Sequence, residues 1–443
     1  MSQSTPPIPG PLGHRPASRK SMLLLPWLML KPRLPRAFDL LSSLFLLYLL
    51  WPLLLLRGFL AYLQTGKVFA RQTQVGRYQQ EFERLAFAGQ LPGKGLAALL
   101  NVVQGELAWA GPRALAPEEL PQLSSQAFFR FNLRPGLISR HVLRKKIGLA
   151  YDDELSTDHR YYYSASAKDH VGLSLRGVIG SLLGGGKQDV PVHPMLHFLG
   201  IDIVNTTMAE ALDWFEQRVQ AKQKSLLFFA NPACLNIAYE ESDYRHVLQE
   251  AERVLPDGIG IKIGCRMLNE GMLDNINGTD FFPRLCERAA NTGLKLYLLG
   301  GLPGVAALAA QAMQKRYPKL IIAGTRDGYF DHTQESDVIN SINLSGADIL
   351  LVGMGAPKQE LWLARHRGQL QPSVCMGVGG LFDFYSGRIP RAPVWMREIG
   401  MEWAWRIAQE PGRMWRRYIV GNPLFLYRVW LQRQRASRSG KKT

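Results

Sequence analysis

Residues 353–391, GMGAPKQELWLARHRGQLQPSVCMGVGGLFDFYSGRIPR, decide how this chain folds. The apolar run DILLVGMG (348–355) reads as a strand. It ends in a turn framed by Gly353 and Gly355, after which a helix opens at Pro357-Lys358-Gln359-Glu360. A second apolar run, VCMGVGG (374–380), returns to another glycine-rich turn carrying Asp383. That order places a ligand site at the carboxyl edge of a parallel sheet, where backbone N–H groups and helix N-termini await partners. On pattern alone a pair of ordinary loops would look the same, so the neighbouring sequence has to decide.

Working outward, LLFFA (226–230), KLYLLGG (295–301) and LIIAG (320–324) alternate with helix-patterned segments such as GVAALAAQAMQKRYP (304–318). Strand, turn and helix repeating in this way predict βαβ units and an α/β, Rossmann-like, mostly parallel sheet in the C-terminal region. Asn231-Pro232, Gly300-Gly301 with Gly304, Gly324 to Tyr329, Gly353 to Glu360 and Gly377 to Asp383 end the five runs. Gathered at one edge, such turns make a crevice suited to a diphosphate. The sequence has no Walker A motif and no GxGxxG followed by an acidic residue about 20 positions on, which argues against ATP hydrolysis and dinucleotide redox chemistry. Asp-x-Asp is also missing. Chemistry on a nucleotide-sugar would then rely on arginine, lysine and backbone donors to neutralise a leaving diphosphate, with no metal and no cofactor expected.

The 443 residues, 47% of them hydrophobic, leave room for two or three domains. Cys234, Cys265, Cys286 and Cys375 form no metal-type spacing and read as small core residues in a reducing cytosol. The net charge of +17 is concentrated late, since residues 388–443 hold 13 Lys/Arg against Glu398, Glu402 and Glu410. Trp395, Trp403, Trp405, Trp415, Tyr418, Phe425, Tyr427 and Trp430 interleave with that charge. The combination favours a membrane interface over nucleic acid. Residues 1–32 begin with a Pro/Gly/Ser-rich basic tail and continue into an apolar segment. Leu40 to Leu56 then run without a charge, at the lower limit of a bilayer span of ~17–25 residues. Pro52 inside the run and basic residues on both sides predict a kinked hairpin entering and leaving on one face of the membrane. The long tail ahead of the run argues against a cleaved signal peptide.

FDLLSSLFLLYLLWPLLLL, GKVFARQTQVGR, LLNVVQGELAWAGPRAL and FNLRPGLISR resemble, across roughly residues 33–185, the bacterial sugar transferases that act as monotopic polyprenyl-phosphate phosphoglycosyl transferases. Such enzymes use an Asp-Glu pair just ahead of the Asn-Val run, with Asp as the nucleophile. Lys94 and Gly95 stand in those places here. The resemblance therefore implies a membrane-associated, α-rich domain without its reaction centre. Asp152-Asp153-Glu154 reads as a surface acidic cluster rather than a substitute. Retained phosphoglycosyl transfer, making the chain bifunctional, is the alternative.

A second resemblance covers residues 197 to about 430. ANPACLNIA, VLPDGIGI, NGTDFF, YLLGGLPG, ILLVGMGAPKQELW and GVGGLFDFYSGRIPRAPVWMREIGMEWAWRIAQEPGRMWRRY resemble, in order, the WecG/TagA/CpsF glycosyltransferases, glycosyltransferase family 26. This implies inverting, metal-independent transfer of an N-acetylmannosamine-type sugar or related hexose from a UDP-sugar to a polyprenyl-diphosphate-linked saccharide, in envelope or exopolysaccharide synthesis. Asp257 stands where the family places its catalytic Asp, although an Asp before Gly read alone makes an Asx turn. Asn231, Gly300, Gly301, Gly355, Gln359, Glu360 and Asp383 are the expected donor and nucleotide contacts, with helix capping open for Gln359, Glu360 and Asp383. Phe229 replaces the Thr often found two residues before this Asn. Thr279 and Asp280 read equally as sugar contacts or a helix N-cap. Arg388, Arg391, Arg406, Arg413, Arg416 and Arg417 are the candidates to hold diphosphate oxygens, each also open to a surface salt bridge.

The expected organisation is a tail and apolar segment (1–32), a silent membrane domain (33–185), a linker (186–196), a transferase core (197–387) and a basic aromatic appendage (388–443). Expected partners are the UDP-sugar donor, the polyprenyl-diphosphate-linked acceptor, membrane lipids and other polysaccharide-synthesis enzymes, but no nucleic acid. The expected location is the cytosolic face of a bacterial inner membrane. A non-catalytic scaffold binding lipid diphosphate is the reading from another class.

Overall fold

The computed structural model of the protein describes residues 33–147, 153–164, 166–184 and 190–439. Expectations for residues 1–32, Asp152 and linker positions 186–189 lie outside the described residues. Two compact units divide the chain: Met1–Val142 with Asp152–Gly177, and Leu143–Tyr151 with Val178–Thr443.

In the first unit, helix α1 (Arg33–Thr65) runs through Pro52 as one element, where a kinked hairpin was expected. Pro52 lies on the exposed side of this helix beside Tyr48, where it forfeits the backbone bond to the preceding turn. The opposite side, at helical spacing, is fixed to the body of the unit. Arg36 donates to the Val102 and Val103 carbonyls at 2.6 and 3.0 Å. Asp39 accepts from the Trp109 N–H, Ser43 accepts from the Trp109 indole, and Arg57 donates to Ala88, Leu91 and Pro92 carbonyls. Leu41, Leu44, Phe45, Leu49, Trp51, Leu55 and Leu56 remain exposed. By length and composition α1 is able to cross a membrane.

The body is not purely α-helical. Strands β1 (Phe69–Val75) and β2 (Glu81–Phe87) form an antiparallel hairpin, and β3 (Ala108–Ala110) pairs in parallel with β4 (Gly136–Ile138). Between the pairs, Lys94 and Gly95 occupy an exposed 3-10 turn leading into helix α2 (Leu99–Gln104). Glu154, from the acidic cluster, is paired with Arg113 at 3.0 Å and Arg130 at 2.8 Å.

Past residue 190 the second unit continues with a hairpin of β5 (Met195–Phe198) and β6 (Ile201–Val204), so β5 starts inside the expected linker. Helix α3 (Met208–Gln220) leads into a six-stranded sheet. Its strands are β7 (Ser225–Ala230), β8 (Arg253–Pro256), β9 (Lys295–Gly300), β10 (Ile321–Arg326), β11 (Ile349–Gly353) and β12 (Val374–Gly377). Every pairing is parallel and the order is β10-β9-β11-β12-β7-β8. All five expected strands are present. The sixth, β8, is a four-residue edge strand ending in proline, too short for a hydrophobic run to announce it. Leu226, Phe228 and Ala230 enter the core on one face of the sheet, and Leu227 and Phe229 enter the other, as the two-residue period requires. Both faces are covered, which is why these strands read as unbroken apolar runs. The four cysteines are free and buried.

Helix α4 (Pro232–Glu240) follows β7, α5 (Ser242–Glu250) precedes β8, and α6 (Ile259–Leu268) follows it. Helices α7 (Gly278–Thr292), α8 (Val305–Arg316), α9 (Glu335–Leu344), α10 (Lys358–His366) and α11 (Leu381–Tyr385) complete the layers. From β9 the chain moves outward to β10, whereas from β11 it moves the other way to β12. The crevice between β9 and β11 is thus a topological switch point. The basic segment after 388 forms short helices and then α12 (Gly421–Ser439). That last helix is part of the core, not an addition to it: Phe425 and Val429 are fully buried, and Phe425 meets the Phe198 ring at 5.9 Å.

Candidate active site at the carboxyl edge of the sheet

Because all six strands run the same way, their carboxyl ends lie along one edge, and hydrogen bonds tie the turns together. The Gly301 N–H donates to the Gly353 carbonyl at 3.1 Å, and Gly328 N–H to Gly301 at 3.0 Å. A Cβ on Gly300 would lie 2.5 Å from the Gly353 oxygen, so only glycine permits this approach. Gly300, Gly301 and Gly355 all have positive φ.

Asp257 directly follows β8, and Asn231 directly follows the adjacent β7. The Asp257 N–H donates to the Ala230 carbonyl at 2.9 Å, and the next N–H, of Gly258, donates to Asn275 Oδ1 at 2.6 Å. Asn231 caps α4 by accepting from Ala233 and Cys234 N–H groups, both at 3.1 Å. Its remaining amide hydrogens point to Asp257 Oδ2 at 3.3 Å. Gly260 lacks the Cβ that would strike the Pro232 ring, so the first turns of α4 and α6 lie side by side. Two helix N-termini therefore flank one carboxylate. Burial pushes the Asp257 carboxyl above the ordinary carboxylate range, while the Asn231 amide and the Arg417 and Arg406 charges pull it down. Part of its residue surface stays accessible to solvent. A carboxylate held in place and raised in basicity is suited to accept a proton.

The six arginine candidates separate into groups. Arg406 and Arg417 act electrostatically on Asp257. Arg406 also donates to the Tyr418 hydroxyl at 3.3 Å and lies 4.9 Å from the Phe384 ring centroid. Arg388 pairs with Asp383 at 3.1 Å. Arg391 pairs with Asp280 at 2.7 Å and Glu402 at 3.2 Å. Arg413 and Arg416 are exposed, one near Glu410 and the other over the Trp415 ring.

Several expected ligand contacts are committed to the protein itself. Asp280 is buried, bonded to Asn277 and Arg391, and held below the usual carboxylate range chiefly by Arg391 against the cost of burial. Its carboxylate clamps the segment after 388 instead of facing a sugar. The N-cap of α7 is Asn277, with Thr279 and Asp280 in the first turn, and the Thr279 carbonyl accepts from the Tyr385 hydroxyl. Gln359 and Glu360 are buried below the glycine turns, where Gln359 accepts from the Gly355 and Gly379 N–H groups. Asn275 and Asn277 were not singled out in the sequence, and Tyr418 was read only as one of the aromatics of the basic tail. The repeated asparagines of Asn275-Ile276-Asn277-Gly278, directly after Asp274, were the available signal. Among the described residues, no group of three or more His, Cys, Asp or Glu side chains is placed to hold a metal ion.

A sequence profile described as the Glycosyl transferase WecG/TagA/CpsF family matches residues 196–439. Proteins named N-acetylglucosaminyldiphosphoundecaprenol N-acetyl-beta-D-mannosaminyltransferase, from Staphylococcus aureus strains MW2 and MRSA252, are each 31% identical over 233 residues. The alignments cover 52% of this chain and 90% of each relative.

Proposed function

The chain belongs to the WecG/TagA/CpsF glycosyl transferase family, and on that premise we propose that Asp257 is the base of an inverting, metal-independent transfer. The donor is a UDP-sugar of N-acetylmannosamine type or a related hexose. The acceptor is a polyprenyl-diphosphate-linked saccharide of envelope or exopolysaccharide synthesis. The acceptor hydroxyl attacks the anomeric carbon, its proton passes to Asp257, and the bond from that carbon to the UDP oxygen breaks. Arg406 and Arg417, with the N–H groups of the glycine turns, balance the charge of the departing diphosphate. The observation carrying this reading is the Asn231–Asp257 pair, flanked by two helix N-termini and faced by two arginines.

The first unit, in this reading, is the degenerate phosphoglycosyl-transferase-like domain, silent because Lys94 and Gly95 stand where the acidic pair belongs. The apolar exposed side of α1 and the basic aromatic C-terminal segment hold the protein to the cytosolic face of the membrane. Tethering raises the effective concentration of a lipid-linked acceptor. The test is a panel of UDP-sugars offered to the detergent-solubilised protein with polyprenyl-diphosphate-linked acceptors, scored by mass of the lipid product. A new hexose or N-acetylhexosamine on the lipid is expected. No product from any pairing refutes the enzymatic reading in favour of a lipid-diphosphate scaffold.

A further inference from the structure

We propose that Glu360 is a positioning residue: it fixes the side-chain amide of Gln359 and, through it, the spacing of the turns after β11 and β12. That these turns serve the nucleotide half of a donor rests on the reading above. The positioning claim rests on geometry alone.

Gln359 Oε1 accepts two N–H groups from different turns, Gly355 at 3.1 Å and Gly379 at 2.9 Å. Only the oxygen end of an amide is able to accept both. The Nε2 end must then face the other way, where Glu360 Oε1 accepts from it at 2.7 Å. Turned over, the amide would set its hydrogens against two donors and its oxygen against a carboxyl oxygen. Glu360 therefore supplies the third bond that locks this orientation in place.

Space enforces the same arrangement. A Cβ at Gly377 would come within 2.9 Å of Gln359 Nε2, so the glutamine lies directly on the β12 backbone. The Val378 N–H donates to the Val352 carbonyl at 2.8 Å, joining the two strand ends just ahead of the turns. Gln359 and Glu360 are 4% and 1% exposed, so water does not compete for these bonds. Glu360 Oε2 has no hydrogen-bond partner among the described residues. Burial pushes the carboxyl up to about 7. A group buried at such cost, with one oxygen idle, calls for an explanation, and its single bond to Gln359 supplies it.

The experiment measures backbone hydrogen exchange on the full chain in detergent for wild type, Glu360→Leu and Glu360→Gln. It follows peptides covering 353–360 and 377–383, with 196–204 of the β5–β6 hairpin as an internal control. UDP affinity is measured on the same samples. Glu360→Leu is expected to speed exchange of both turns by about tenfold, leave the control unchanged, and weaken UDP binding by a similar factor. Glu360→Gln is expected to restore most of both effects, because its side-chain oxygen still accepts from Gln359. Unchanged exchange in Glu360→Leu overturns the positioning role whatever happens to UDP. Faster exchange in all three peptides also overturns it, as general destabilisation. Loosened turns with unaltered UDP affinity uphold positioning and refute the donor assignment of the turns. A wild-type chain that does not bind UDP likewise refutes the donor reading and leaves the exchange result to decide Glu360.

Discussion

Asp257 and Glu360 are two carboxyls whose proton affinity is raised by burial, and they are put to opposite uses. Asp257 follows an edge strand, accepts from one amide, feels the charges of two arginines and keeps part of its residue surface accessible. Glu360 lies beneath the turns, with a neighbouring glutamine and no cation lowering its proton affinity. A perturbed carboxyl in this fold is therefore not by itself a catalytic one. In the proposed reading, the charges around each carboxyl separate a proton acceptor from an internal brace.

The most severe way to break the contrast is Asp257→Asn. It is expected to lower turnover by ~10²–10⁴ with donor affinity retained, checked by initial rates beside UDP binding. Glu360→Gln should instead act on stability. A carboxyl that takes its proton near 7 in the folded state and at 4.5 when free favours folding at low pH, and that advantage is lost as pH rises through this window. The residue contributes a decline of about 3 kcal/mol between pH 4.5 and pH 8. Cys234 and Tyr244, which face Glu360 from α4 and α5, have raised proton affinities themselves and stay neutral there. Denaturant titrations at pH 5 and pH 8 should show the decline in wild type and its absence in Glu360→Gln.

Arg417→Ala sharpens the other side of the comparison. Removing a cation that stabilises the Asp257 carboxylate should move the acid limb of the pH–rate profile upward by roughly one pH unit. The same change at exposed Arg413 should leave that limb in place. Smallest is Asn231→Ala, which removes the α4 cap and should cost about 1 kcal/mol in thermal or denaturant unfolding, with a slower rate as Asp257 loses its amide partner.

The sheet was legible in the sequence because β7, β9, β11 and β12 are buried and read as apolar runs, while β10, a more exposed edge strand, is still marked by its apolar start and the glycines that follow. Strand β8 was not, since Arg253–Pro256 is short and lies at an edge. Asp257 was singled out through the family resemblance, since its local Asp-Gly pair alone reads as an Asx turn, and without the strand that presents it. Gln359 and Glu360 were read from the same resemblance as nucleotide contacts or helix caps. Which way a helix's first turn is rotated depends on what packs beneath it, and no local pattern carries that. Arg388 and Arg391 illustrate the same limit. Their charge was evident, but their acidic partners Asp383 and Asp280 are assigned only by the fold. Pro52 shows the converse, a strong local rule that does not end the helix, which continues from Arg33 to Thr65.

Helix α12 ties the order of synthesis to the closing of the core. Its Phe425 ring lies against Phe198, and the Leu199 N–H donates to Gln432 at 3.0 Å, although 233 residues separate that pair along the chain. A ribosome delivers the first strand of this unit long before the helix that covers it. The nascent unit must wait, with Phe198 and the adjoining wall of the core uncovered, until residues 421–439 emerge. Loss of that helix would leave the core without one of its walls.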